Sequence, residues 1–389
     1  MPSAAESRRA RLRQVKRVVI KIGSSSLTTA NWTLDRRVMA KLVREIVALR
    51  QRGLEVALVS SGAVASGMGR LGLQTRPRSV AELQALAAVG QNLLMHTYEG
   101  LFKKHGVLIG QVLLTAEDIL DSRRRYLNLK NTFRQLFSYG AVPIINENDS
   151  VGVAELKRAI GDNDVLAAYV ANMIQAQLLV LLSDVEGLYA AYTPGATGGE
   201  VLNQVEGADP RLDALVGRSS NKVGRGGMAT KLQAARLMTT CGEMALIAHA
   251  RKHRLVEIME GAELGTLFTP DHKRLQSRKR WIAFASHCAG AVVIDRGAQR
   301  ALVSLGKSLL PVGVVTCKGD FEAGEAIRVE NEAGEEVARG LSRYTAAELR
   351  QILGKHSAEV EELLGRPPVE VIHRDDLVLL DPAPPTGQR

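Results

Sequence analysis

Residues 17–25 read Arg17-Val18-Val19-Ile20-Lys21-Ile22-Gly23-Ser24-Ser25. Val18, Val19, Ile20 and Ile22 are apolar and β-branched, the pattern of a strand buried on both faces. A Gly-Ser turn ends it and leaves Lys21 beside the turn. Leu34 to Arg52 follows, with Val38, Leu42, Ile46 and Leu49 at helical spacing, and Gly53 stops it. Leu54 to Val59 is a second buried strand. The rhythm then repeats: helix over Val80 to Lys104, strand over Val107 to Leu114, helix over Tyr126 to Tyr139, strand over Val142 to Asn146. A helix at Val165 to Ile174, a strand at Leu178 to Leu182, a helix at Thr230 to Cys241 and a strand at Met244 to Ala248 complete it. Doubly buried strands separated by helices predict an α/β fold: an open, mostly parallel sheet sandwiched by helices.

The rhythm changes after a polar, basic stretch from Thr269 to Arg280. Short strands are expected at Ala291 to Ile294, Gly313 to Cys317, Ala326 to Val329 and Val337 to Gly340, with one helix at Ala346 to Ile352 among them. The expected organisation is a basic N-terminal arm (1–16), a large α/β domain (17–268), a linker (269–280), a small β-rich domain (281–379) and a frayed tail (380–389).

The chain has 389 residues, 46% hydrophobic and 24% charged, which argues against a mainly disordered chain. Its net charge of +10 is uneven: after residue 280, 12 Lys and Arg face 16 Asp and Glu, leaving that part at −4. A basic larger part attracts phosphates, acidic metabolites or nucleic acid alike. No apolar run has the length of a spanning helix, and the arginine-rich first twenty residues lack the apolar core of a secretory signal. Cys241, Cys288 and Cys317 are odd in number and far apart, which excludes a zinc ribbon or disulfide framework and fits a reducing cytoplasm.

Ligands of parallel α/β sheets bind at the carboxyl ends of the strands. Those ends carry Lys21 with Gly23-Ser24-Ser25-Ser26, then Ser60-Ser61-Gly62-Ala63, Asn146-Glu147-Asn148-Asp149 and Ser183-Asp184. Two helices open with Gly161-Asp162-Asn163-Asp164 and Gly224-Arg225-Gly226-Gly227-Met228-Ala229-Thr230-Lys231. Glycines at a helix N-terminus let a phosphate meet free N–H groups. Two lysines, Lys21 and Lys231, suit a transferring phosphoryl group.

Other patterns do not carry chemistry. Gly67-Met68-Gly69-Arg70-Leu71-Gly72 matches a dinucleotide fingerprint but starts too far beyond its strand. His249 and His253 lack the Glu of a zinc-protease helix. The loop before Lys231 is not a Walker A loop, and Ser61 is not in a nucleophile elbow.

At these residues the sequence resembles the amino-acid kinase family. The resemblance is carried by Val19-Ile20-Lys21-Ile22-Gly23-Ser24-Ser25, Val59-Ser60-Ser61-Gly62-Ala63, Val142-Pro143-Ile144-Ile145-Asn146-Glu147-Asn148-Asp149, Gly161-Asp162-Asn163-Asp164 and Gly226-Gly227-Met228-Ala229-Thr230-Lys231. Arg278-Lys279-Arg280-Trp281 and His373-Arg374-Asp375-Asp376 make the β-rich part similar to the PUA domain of bacterial members. The resemblance implies ATP-dependent phosphorylation of the γ-carboxylate of L-glutamate to L-glutamyl 5-phosphate, the first step of proline biosynthesis. It implies that Lys21 and Lys231 contact the moving phosphoryl group and that Asp164 holds them. Ser61, Asp149 and Asn163 would bind glutamate, with Asn146 and Asp162 close by. Ser183, Asp184 and the stretch Arg225, Gly226, Gly227, Met228, Ala229, Thr230, Lys231 would border the nucleotide. Mg²⁺ is the implied cofactor, carried by phosphates and water with no protein ligand set. The implied partners are ATP, L-glutamate, proline as feedback inhibitor, a homo-oligomer (dimer or tetramer) and a glutamyl-phosphate reductase, with no membrane and no nucleic acid. Arg225 departs from the family, which commonly has Thr or Ser there. The alternatives are another amino-acid kinase, acting on acetylglutamate, aspartate, carbamate or a nucleoside monophosphate, and an RNA-binding PUA protein.

Overall fold

The computed structural model describes residues 4–115, 118–119, 123–152, 163–189, 200–206, 227–270 and 288–380. Asp162, Arg225 and Gly226, residues 271–280 of the expected linker and 381–389 of the tail lie outside the described residues. Two compact units make up the chain, residues 1–274 and 275–389.

In the first unit the elements are α1 (Ala4–Arg13), β1 (Arg17–Ile22), α2 (Ser24–Leu27), α3 (Arg36–Gln51), β2 (Glu55–Ser60), α4 (Ala63–Leu71), α5 (Val80–Lys103) and β3 (Ile109–Leu114). They continue with α6 (Arg123–Ser138), β4 (Val142–Glu147), α7 (Asn163–Met173), β5 (Leu178–Ser183), β6 (Gln204–Glu206), α8 (Met228–Thr240), β7 (Met244–His249), α9 (Leu255–Met259) and β8 (Thr266–Thr269). One eight-stranded sheet runs β3-β4-β2-β1-β5-β7-β8-β6. Strands β1 to β5 and β7 are parallel, in register Lys21 to Val59 on one side and Lys21 to Leu181 on the other. The short strand β8 runs antiparallel to β7, with β6 parallel to β8. These two short strands are absent from the sequence reading, and β8 extends to Thr269, one residue into the expected linker.

Asp35 starts α3 by accepting from the Arg37 and Val38 amides at 3.1 and 3.2 Å, a cap worth about 1 kcal/mol. The apolar stripe of α3 then packs on β1 and β2. Helices α4 and α5 meet backbone to backbone. A Cβ on Gly90 would collide with the Ala63 carbonyl, and one on Gly67 with the Leu86 carbonyl. Gly69 faces the Trp32 carbonyl, where a Cβ would stand 2.6 Å away. Gly67 thus serves helix packing, Gly69 admits the Trp32 loop, and Gly72 ends α4 in the left-handed conformation. The N-terminal stretch read as an arm is a helix with a buried anchor. Arg8 is 2% exposed and donates to the carbonyls of Asn203 (2.7 Å) and Leu264 (2.6 Å), while Leu12 enters the core.

The second unit holds β9 (Gly290–Ile294), α10 (Arg296–Leu305), β10 (Val314–Gly319), β11 (Ala326–Glu330), β12 (Glu336–Leu341), α11 (Ala346–Gln351), α12 (Ser357–Leu364) and β13 (Leu377–Leu379). Its sheet runs β10-β9-β11-β12-β13 around a core that includes Val292, Leu302, Ile327, Val329 and Tyr344. Three helices interrupt the strands rather than the one read from sequence. Asp295 caps α10 through the Ala298 amide at 2.7 Å, and α12 ends at Gly365 in the left-handed conformation.

Candidate active site

The sheet order sets the ends of β4, β2, β1 and β5 side by side, and a cleft of about 400 Å³ opens over them. At its floor Asp164, the second residue of α7, is fully buried and receives both lysines. Lys21 Nζ lies 2.6 Å from Asp164 Oδ1, and Lys231 Nζ lies 2.9 Å from Asp164 Oδ2. Lys21 comes from the penultimate residue of β1 and Lys231 from the first turn of α8. Thr230 Oγ1 also donates to Asp164 Oδ2 at 3.0 Å. Burial pushes the Asp164 carboxyl up, but the two ammonium groups outweigh burial and hold it below the ordinary carboxylate range. Among the described residues, one carboxylate thus faces two ammonium groups.

The turn after β2 supplies a second anion-directed feature. Gly62 has φ +113°, a conformation that favours glycine, and α4 starts immediately after it. Ser61 donates its amide to the Ile22 carbonyl at 3.2 Å, tying this turn to the end of β1. Gly62, Ala63 and Val64 line the cleft at this helix N-terminus.

On the β4 side, the sequence candidates join one polar chain. Asn163 Nδ2 donates to Ser61 Oγ (2.7 Å) and Asn146 Oδ1 (2.9 Å), and Asn146 Nδ2 donates to Gln91 Oε1 (2.9 Å). The buried Asn163 Oδ1 accepts no hydrogen bond from the described residues. Asp149 and Glu147 line the same part of the cleft. Beneath the turn, Ser60 Oγ and the buried Tyr98 hydroxyl are 2.8 Å apart, and burial raises the Tyr98 phenol.

On the β5 side, Ser183 and Asp184 line the cleft, and Ser183 Oγ donates to Asp184 Oδ1 at 3.0 Å. Gly227 caps α8, and Met228 and Ala229 form its first turn without lining the cleft. His249 ends β7 and His253 follows it, and their Nδ1 atoms accept the Arg251 and His249 amides, respectively, at 3.1 Å. Burial holds both imidazoles below their ordinary pKa. They shape a turn.

Among the polar and aromatic side chains that the sequence reading missed, Trp32 and Arg76 line the cleft, and Gln91 stands behind it, bonded to Asn146. A signal for Gln91 existed. Gln84 and Gln91 are seven apart and share one face of α5, and Gln84 Nε2 meets the Gly152 carbonyl at 3.3 Å. Trp32 and Arg76 lie in irregular loops, where spacing carries no such signal.

Comparison with known proteins gives the family of the chain. The amino acid kinase family matches residues 16–247, and the PUA domain matches residues 290–364. The glutamate 5-kinase of Methylococcus capsulatus is 46% identical over 366 residues, 94% of this chain and 97% of that protein. The glutamate 5-kinase of Moorella thermoacetica is 45% identical over 371 residues, 95% and 97% of the two chains. That of Chromohalobacter salexigens is 46% identical over 382 residues, 98% and 100%. With that similarity running nearly end to end, the chain belongs to the amino acid kinase family and carries a C-terminal PUA domain.

Proposed function

We propose that the protein transfers the γ-phosphoryl group of ATP to the γ-carboxylate of L-glutamate, giving ADP and L-glutamyl 5-phosphate. The observation that carries this reading is the pair of buried lysines on one carboxylate at the floor of the cleft. The acceptor γ-carboxylate has a reference pKa near about 4.3 and is ionised at neutral pH, so it needs no general base. Its oxygen attacks the γ-phosphorus while the bond to the bridging oxygen of ADP breaks. The difficulty is to bring two anions together and to spread the moving charge. Lys21 and Lys231 supply fixed cations on the phosphoryl oxygens. Asp164 keeps them aligned and takes no proton.

The acceptor sits over β4 and β2 in this reading. Asp149 meets its ammonium group, Asn163 Oδ1 supplies a further acceptor for that group, and Ser61 and Asn146 orient Asn163. The nucleotide sits over β5, bordered by Ser183, Asp184 and the start of α8. Asp162, Arg225 and Gly226, outside the described residues, belong to these two halves by sequence. In this reading Mg²⁺ would be carried by the nucleotide phosphates and water. When bound, Mg²⁺ neutralises phosphate charge. The same reading includes a cytoplasmic homo-oligomer, feedback inhibition by proline, and a glutamyl-phosphate reductase that consumes the labile acyl phosphate. No helix among the described residues is long and apolar enough to cross a membrane.

Hydroxylamine trapping tests the reaction. Incubation with Mg·ATP, L-glutamate and hydroxylamine should yield γ-glutamyl hydroxamate in proportion to ADP. ADP release without hydroxamate would refute transfer to the carboxylate.

A further inference from the structure

We propose that Arg76 binds the α-carboxylate of the acceptor amino acid and so sets the enzyme's preference for an α-amino acid over a simple carboxylate. The proposal rests on the reading above and adds a residue to it. Three cationic side chains among the described residues line the cleft: Lys21, Lys231 and Arg76. Both lysines are committed to Asp164 and to the site of transfer. The acceptor brings a second carboxylate at its α-carbon, beside an ammonium group. A binding surface for that zwitterionic end needs a cation as well as an anion. Glu147 and Asp149 provide the anionic side, and Arg76 is the cation that lines the cleft with them.

The fold gives this arginine a fixed mount. It lies in the loop between α4 and α5, whose backbones are in contact at Gly67 and Gly90. The same α5 reaches the acceptor loop through Gln84 to the Gly152 carbonyl and Gln91 to Asn146. Loop and acceptor residues therefore share one scaffold. Pro77 restricts the backbone of Arg76 to extended conformations, which limits the directions open to its side chain. Guanidinium is also the cation whose planar fork matches a carboxylate with two parallel hydrogen bonds.

Arg76→Met and Arg76→Lys can be compared with wild type on L-glutamate and on 4-aminobutyrate, which keeps the ammonium group and the reacting carboxylate but lacks the α-carboxylate. Each compound is measured by turnover and by competition against glutamate. Arg76→Met should lower kcat/KM for glutamate about thirtyfold or more, mainly through KM, the loss expected of a charged hydrogen-bonding partner. Its affinity for 4-aminobutyrate should change by less than about threefold, and the KM for ATP should hold, because neither uses the removed group. Arg76→Lys should recover part of the glutamate loss. Equal losses on both compounds, or an unchanged glutamate KM, would overturn the role of Arg76 while leaving the kinase reading intact. A wild type that does not phosphorylate glutamate would overturn the kinase reading, and this proposal with it.

Discussion

Lys21 Nζ stands 2.6 Å from Asp164 Oδ1, with the two side chains 5% and 0% exposed. A buried ion pair of this kind is costly to break and contributes little net stability when intact. Its presence at the end of β1, with a second lysine on the other carboxylate oxygen, is therefore explained by chemistry rather than by stability. The arrangement sets two lysines on one buried carboxylate, which suits the proposed phosphoryl transfer.

Replacing Lys231 with Ala should reduce kcat by about a hundredfold or more, with a smaller change in the glutamate KM. The charge removed is used mainly while the phosphoryl group is in transfer. Steady-state kinetics with both substrates varied would read this directly. A raised glutamate KM with intact turnover would place Lys231 on the wrong part of the reaction.

Asp149→Asn should act in the opposite way. Its carboxylate lines the cleft after β4, on the side proposed for the acceptor. Losing it weakens ground state and transition state alike, so the glutamate KM should rise by about tenfold or more while kcat changes little. A fall in ATP affinity instead would assign this loop to the nucleotide.

Gln91→Leu tests the polar chain behind the acceptor. The substitution removes the partner of Asn146 Nδ2 and leaves a buried amide donor unsatisfied, a cost of about 1–3 kcal/mol. Stability should fall by that amount in urea titrations, and the glutamate KM should rise several-fold while the ATP KM stays constant. Unchanged kinetics in a destabilised variant would limit Gln91 to a packing role.

The acid limb of stability provides a test of Asp164. Its folded pKa is depressed because the two lysines outweigh burial. A depressed carboxylate contributes stability that is present above its unfolded value, about 3.9, and lost as pH falls through the folded value. Wild type should therefore exceed Asp164→Asn by about 3 kcal/mol near neutrality, the usual cost of leaving buried charge uncompensated. That gap should narrow only well below pH 4. Urea midpoints across pH give the measurement. A gap that closed between pH 6 and 5 would mean the carboxyl is raised rather than depressed.

The sequence made the central sheet readable because its strands are doubly buried. Val18, Val19 and Ile20 have no polar alternation to dilute the pattern. Lys21 stands out in sequence as a charge at the end of an apolar strand, and Lys231 follows a glycine-rich stretch at a helix start, but that both meet Asp164 shows only in the structure. The structure adds what spacing does not encode. The direction of a four-residue strand such as Thr266–Thr269 depends on its neighbours, and β8 turned out antiparallel to β7. In the second unit, α10 is only ten residues long and has glycine as its second residue, so its helical signal between two strands is short. Arg8 falls in the stretch that the sequence marks as a basic N-terminal arm, yet two backbone carbonyls far along the chain draw it into the interior. Charge alone marks such a residue as exposed, and only the tertiary partners reverse that.

Acceptor choice tests the central claim most directly. Initial rates of ADP release can be measured at fixed Mg·ATP with L-glutamate, L-aspartate, N-acetyl-L-glutamate, carbamate and uridine monophosphate. L-Glutamate should be preferred in kcat/KM by about a hundredfold or more, because the proposed acceptor half would meet a free ammonium group beside a second carboxylate. A preference for N-acetyl-L-glutamate, carbamate or the nucleotide would contradict it.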